Sequence, residues 1–214
     1  MTRFNSVIFD VDSTLSGIEG IDWLAALRGP EMQAWSSSLT ERAMKGDLAI
    51  EAVYGERMNA VRPTAGEIDA LGREYVERIA PGARQTLAEL RKHGVHLVMV
   101  SGGLREAIIP LARELGVPES ALHAVSVYFD DKGDYVGFES TSPMTRQEGK
   151  RLTVGKMGLK TPTLAVGDGV TDSEMKPVVT KFAAFTAFTR RAPVIERADF
   201  IVENFDQLRD LILK

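Results

Sequence analysis

Three short stretches of this 214-residue chain set reactive side chains next to one another: Asp10-Val11-Asp12-Ser13-Thr14-Leu15, Ser101-Gly102-Gly103 and Gly167-Asp168-Gly169-Val170-Thr171-Asp172. Two carboxylates at i and i+2 behind an apolar run repel each other, and a divalent cation would relieve that repulsion. A hydroxyl followed by glycines lets backbone amides approach an anion and open a helix on it. The last stretch brings a second pair of acids in a glycine-rich turn. Read singly, each is an ordinary turn or helix cap. Together, and in this order, they predict one site that holds a cation and an anion side by side.

The elements that must position these residues are short buried strands. Val7-Ile8-Phe9 ends at Asp10, Leu97-Val98-Met99-Val100 runs into Ser101, and Thr163-Leu164-Ala165-Val166 runs into Gly167-Asp168. Phe182 to Phe185 and Asp199 to Val202 have the same character. Continuous apolar runs of this length suit parallel strands buried on both faces. Helical patterns separate them. One spans Gly82 to His93, with Pro81 before it and Gly94 as its stop, and another spans Leu104 to Leu115 and stops at Gly116. Asn204 is placed to cap a last helix whose inner face is Leu208, Leu211 and Ile212. The alternation predicts an α/β fold, a parallel sheet wound on both faces, with the site beyond the carboxyl ends of its strands. Tyr128 to Val136 reads instead as a hairpin turning at Asp131 to Gly133. Residues 17–78, helix-patterned and without a convincing buried strand, read as a helical cap inserted into a catalytic core made of 1–16 and 79–214.

Composition narrows the classes. With 44% hydrophobic and 26% charged residues the chain is an ordinary globular one with enough apolar material for a core. It has no cysteine, which excludes disulfides, thiolate metal sites and a cysteine nucleophile, and which suits a reducing, cytoplasmic setting. The N-terminal residues lack the pattern of a signal peptide, and no run approaches the roughly 20 apolar residues of a membrane span. A net charge of -4 gives no electrostatic case for nucleic acid, so an anionic substrate must be drawn by local cations. His93, His96 and His123 lack metal-ligand spacing.

Asp-x-Asp-Ser-Thr, Ser-Gly-Gly, a lysine and Gly-Asp-Gly-x-Thr-Asp, in that order over nearly the whole chain, resemble the haloacid dehalogenase superfamily in its phosphatase branch. Within it, Glu19-Gly20-Ile21-Asp22, Arg42-Ala43-Met44-Lys45-Gly46 and Glu56-Arg57-Met58 are similar to the phosphoserine phosphatases. The resemblance implies a Rossmann-like doubly wound core and a Mg²⁺-dependent phosphatase acting on a small phosphorylated metabolite, phosphoserine first among them. Asp10 would be the nucleophile, forming an aspartyl-phosphate, and Asp12 the general acid and then base. The metal ligands would be Asp10, Asp168 and the main-chain carbonyl of Asp12. Asp172 would be either a water-mediated ligand or, with Thr171, a support behind the metal. Ser101 and Gly102 would hold phosphoryl oxygens. A lysine is needed beside them; Lys150 is chosen, with Lys156 and Arg146 as neighbouring candidates. Glu19 would face a substrate ammonium and Arg57 a substrate carboxylate, with Met44 and Gly46 lining the pocket, although Met44 could equally be cap core. The alternatives are the same chemistry on another small phosphorylated metabolite, phosphoryl transfer to an alcohol, a signalling receiver, or a silent binding module. The oligomeric state is open.

Overall fold

Along the central strands, residues alternate between two buried faces. Val7, Phe9, Leu97, Met99, Leu164 and Val166 pack into one apolar cluster, and Ile8, Val98, Val100 and Ala165 into another. A fully buried side chain such as Phe9 contributes about 1.5–3 kcal/mol over its exposed state, so burial on both faces is what selects strand over helix here.

The computed structural model describes residues 2–213. In chain order the elements are β1 (Ser6–Phe9), α1 (Gly20–Ala26), α2 (Pro30–Lys45), α3 (Ile50–Val61), α4 (Ala65–Glu77), α5 (Ala83–Lys92), β2 (His96–Leu104) and α6 (Arg105–Glu114). There follow β3 (Leu122–Val125), β4 (Val127–Phe129), β5 (Tyr135–Phe138), α7 (Gly149–Val154), β6 (Thr163–Gly167) and α8 (Val170–Ser173). The chain closes with β7 (Lys181–Phe185), α9 (Ala192–Arg197), β8 (Phe200–Val202) and α10 (Phe205–Leu213).

Six strands form one sheet in the order β3-β2-β1-β6-β7-β8, every pairing parallel. This is the expected Rossmann-like α/β sheet. Leu87 and Leu90 of α5 and Leu208 and Ile212 of α10 cover one face; Val154 of α7 and Val194 of α9 cover the other. Asn204 Oδ1 accepts the N–H of Gln207 at 2.9 Å and so caps α10. The winding direction reverses between β1 and β6, which opens a crevice at their carboxyl ends. Strand β3, at the sheet edge, is an addition to the five expected. β4 and β5 pair antiparallel as the expected hairpin, with Asp130 Oδ1 accepting the N–H groups of Lys132 and Asp134 at 2.9 Å each across its turn.

Residues 20–77 hold helices α1 to α4. The last begins with a capping box in which Glu67 N–H donates to Thr64 Oγ1 at 3.3 Å and Thr64 N–H to Glu67 Oε2 at 2.8 Å. The chain leaves and re-enters the sheet at paired linkers. Gly17 N–H donates to Arg78 O and Ala80 N–H to Leu15 O, each at 2.9 Å, and Ser16 Oγ bonds the carbonyls of Tyr75 and Arg78 at 3.1 Å. Among the described residues no helix is long and apolar enough to cross a membrane.

Candidate active site

The sheet brings the three chemical stretches together. Asp10 follows β1 directly, Ser101 to Gly103 form the end of β2, and Asp168 follows β6. Between them lies Lys150, on α7, buried to 8% exposure, with Nζ 2.6 Å from Asp10 Oδ1 and 2.7 Å from Asp172 Oδ1. Of the neighbouring candidates, Lys156 is exposed, while Arg146 stands on the cavity wall. Asp172 reaches back over its own turn, where Oδ2 accepts the Gly169 N–H at 3.0 Å. A Cβ on Gly167 would lie 2.2 Å from Asp172 Cγ, so this approach requires glycine there.

Asp10, Asp12, Glu19, Met44, Arg57, Gly102, Lys150, Asp168 and Thr171 line one cavity between the strand ends and helices α1 to α3. Three of the expected residues stand back from its wall. Ser101 is fully buried, its Oγ accepting the Gly103 N–H at 2.9 Å and lying 3.4 Å from Asp12 Oδ2. Asp172 is sealed beneath Lys150. Gly46, expected on the pocket wall, instead closes α2 with a left-handed φ of 87° and faces Val170.

The wall opposite the strand ends carries a polar network. Arg57 Nη2 donates to Asp22 Oδ1 at 2.7 Å, and its Nε and Nη2 meet Ser36 Oγ at 3.2 and 3.1 Å. Ser36 and Thr40 also donate to Asp22 Oδ1, at 2.5 and 3.0 Å, tying α1, α2 and α3 to one carboxylate. Glu19, just before α1, makes no helix-capping bond; its Oε1 accepts from Ser13 Oγ at 2.7 Å.

Several residues at the site were not anticipated. Asp22 lies in a run already singled out, but nothing in its spacing shows that it meets Arg57, 35 residues on. Tyr54 donates to Gly102 O at 2.8 Å, and Tyr75 donates to Asp12 Oδ1 at 2.7 Å. Both look like core aromatics on amphipathic helices. Arg191 Nη1 contacts Asp168 Oδ2, which also accepts from Thr189 Oγ1 at 2.8 Å, and Arg191 Nη2 reaches Glu41 of α2 at 3.4 Å.

The electrostatics are those of crowded acids. Burial, then repulsion from Asp172, lifts Asp10 well above the usual carboxylate range against the pull of Lys150. Asp168 is pushed up to about 6 by burial, with Arg191 opposing and Asp172 reinforcing the shift. Burial and the neighbouring Asp12 and Asp168 raise Glu19 well above its ordinary value. Burial works against the charge on Lys150, but Asp10 and Asp172 outweigh it, so the ammonium persists. Asp10, Asp168 and Asp172 bring carboxylate oxygens within 4.8 Å of one another. An all-oxygen, anionic donor set short of positive charge fits a hard divalent cation.

Comparison with known proteins agrees with this geometry. Residues 4–175 match the family model for haloacid dehalogenase-like hydrolases. The chain is 32% identical to the phosphoserine phosphatase of Rattus norvegicus over 207 residues, covering 95% of this chain and 91% of the relative. The Homo sapiens phosphoserine phosphatase is 32% identical over 208 residues with the same coverage. Among solved structures, a phosphoserine phosphohydrolase-like protein from Francisella tularensis superposes with a TM-score of 0.90 at 25% identity, covering 98% of this chain and all of the other.

Proposed function

This chain belongs to the haloacid dehalogenase-like hydrolases and is a phosphatase with a small phosphorylated substrate, and from that premise we propose that it hydrolyses O-phospho-L-serine to L-serine and phosphate. The observation that carries the substrate is the cavity itself. An acid that caps no helix, Glu19, and a guanidinium, Arg57, line the same cavity as Asp10 and Lys150. Phosphoserine offers an ammonium for the first, a carboxylate for the second and a phosphoryl group for the strand ends. Arg57 spends Nε and Nη2 on Ser36 and Asp22, which leaves Nη1 for the substrate carboxylate.

In this reading an Asp10 carboxylate oxygen bonds phosphorus as the phosphorus–serine oxygen bond breaks. Asp12 gives its proton to the leaving alkoxide. Asp12 then takes a proton from water as the water oxygen bonds phosphorus and Asp10 is released. Lys150 and the backbone at Gly102, over Ser101, hold the phosphoryl oxygens. The cation is read as Mg²⁺, which Asp10, Asp168 and the Asp12 carbonyl would hold and which would supply neutralising charge to the phosphoryl group. Asp172, engaged through both oxygens, supports Lys150 and the Gly169 turn, next to Thr171. Residues 17–78 act as a cap on a core of 1–16 and 79–214, and the cysteine-free chain is read as cytoplasmic.

The test is phosphate release with Mg²⁺ across phosphoserine, phosphoethanolamine (no carboxylate) and phosphoglycolate (no ammonium). The expected result is the highest kcat/KM for phosphoserine, with both partial analogues well below it. Equal values across the three would overturn the substrate assignment while leaving the phosphatase.

A further inference from the structure

Asp12 receives two hydrogen bonds on the same oxygen. Its Oδ1 accepts the Gly20 N–H at 2.8 Å and the Tyr75 phenol at 2.7 Å, whereas among the described residues its Oδ2 has only the long 3.4 Å contact with Ser101 Oγ. A carboxylate oxygen with both lone-pair directions filled by donors cannot also carry a proton without losing one of them. We propose that Tyr75 is a positioning residue for the proton transfer: it pins Oδ1 of Asp12 and so leaves Oδ2 to hold the proton and deliver it to the leaving oxygen.

The placement of Tyr75 supports this. It stands in the last turn of α4 with 0% exposure, and its own carbonyl accepts from Ser16 Oγ at 3.1 Å. Ser16 is four residues beyond Asp12, in the linker that pairs with the residues just after α4, so phenol and carboxylate are fastened to the same paired segment. Space has been cleared for the contact as well. A Cβ on Gly20 would lie 2.1 Å from the Tyr75 phenol oxygen, so any larger residue there displaces the hydroxyl. A phenol that served only to fill the core would need neither the glycine nor the carboxylate.

The inference rests on the reading of Asp12 as general acid, and its test keeps the two apart. Wild type, Tyr75→Phe and Asp12→Asn are compared on phosphoserine, phenyl phosphate and p-nitrophenyl phosphate, following the formation step in single turnover with Mg²⁺. A misaligned acid matters for an alkoxide and hardly at all for p-nitrophenolate. Tyr75→Phe should lose about 10- to 100-fold on phosphoserine and under about 3-fold on p-nitrophenyl phosphate, in the same direction as Asp12→Asn but by less. Gly20→Ala should reproduce that leaving-group dependence. In the Tyr75→Phe background the oxygen at 2.1 Å is gone and the nearest atom is the ring Cζ at 3.0 Å, so Gly20→Ala should there cost much less than it does in wild type. Equal losses on all three esters in Tyr75→Phe, with Asp12→Asn still selective, overturn the role of Tyr75 alone. Loss of selectivity in Asp12→Asn overturns both the acid assignment and the inference.

Discussion

The two sides of the cavity are built on opposite electrostatic plans. At the strand ends, the cations paired with Asp10, Asp168 and Asp172 among the described residues are Lys150 and Arg191, and burial, with repulsion between the acids, lifts Asp10 and Asp168 above their ordinary range. On the helical side, Asp22 and Arg57 neutralise each other, and Ser36 and Thr40 complete the carboxylate's bonds. The first side is incomplete without added positive charge. The second is satisfied by the chain's own groups and ready to orient a ligand. Buried like charges destabilise a fold unless something binds them, so the strand-end side gives up stability for reactivity and the helical side does not.

The largest expected effect breaks the strand-end side at its centre. Asp10→Asn keeps shape and removes the proposed nucleophile, and turnover should fall on the order of 10⁴-fold or more. Acid quenching of wild type with labelled substrate should place the label on Asp10; turnover by the Asn variant within tenfold of wild type would remove Asp10 from the role.

Next comes the metal. Chelator-treated protein should lose activity by at least about 100-fold and regain it with Mg²⁺. In the metal-free protein, Asp168 holds its proton to about pH 6, above its ordinary range. The folded state thus binds more protons than the unfolded one in that window, and metal-free stability falls as pH rises through it. Mg²⁺ held by Asp168, as proposed, would displace that proton, so the gain in melting temperature with Mg²⁺ should be small at pH 5 and reach several degrees above pH 7. A gain independent of pH would argue that Asp168 is not among the ligands.

The helical side should fail by substrate and not across the board. Arg57→Ala should cost phosphoserine about 2–4 kcal/mol in kcat/KM, roughly 30- to 1000-fold, and phosphoethanolamine much less. It also strands Asp22, so Asp22→Asn paired with it should recover part of the lost thermal stability without recovering the discrimination. Glu19→Gln should show the complementary pattern, hurting substrates with an ammonium most. Uniform losses would mean that these residues only hold the helices together.

The smallest effect concerns the seam between the two sides. Tyr54 bridges α3 to the Gly102 carbonyl, and Tyr54→Phe should raise KM by about 2- to 10-fold with kcat little changed. A fall in kcat with KM intact would place the bond in the chemistry instead of in binding.

The strand-end side was readable in the sequence because an apolar run that stops at an acid, or at serine and glycine, buries polar groups at a cost that only a shared site recovers. Asp10, Asp168 and Asp172 meet, as their positions suggested, and Lys150, chosen on the family resemblance over Lys156 and Arg146, joins them. The helical side was readable only as a stretch of helix, because the pattern does not say which polar residues turn inward. Arg190 and Arg191 show the difficulty: Arg190 pairs with exposed Glu203 on the surface, while its neighbour is buried against Asp168. Adjacent residues of one type carry no signal that tells them apart. Tyr75 was hidden for the opposite reason, since an aromatic on the apolar face of α4 fully explains itself as core. β3 escaped notice because His123 interrupts the apolar run of its four residues. Ser101 and Gly46 had the right neighbourhood, but each places its groups elsewhere than on the cavity wall.

The central position of β1 has a consequence for how the molecule comes into being. Residues 6–9 leave the ribosome well before the strands they pair with, 96–99 on one side and 163–166 on the other. At about 5–20 residues per second, β1 waits on the order of ten seconds for its second neighbour. Asp10 waits as long for Lys150, 140 residues later, and longer still for Asp172. Apart from Asp12, the groups proposed to make this aspartate reactive are synthesised after the long helical stretch, so on that reading a nascent chain carries Asp10 as an inert carboxylate. On that reading reactivity toward phosphate esters waits for the later strands, and a product that stops short of Asp172 should have none.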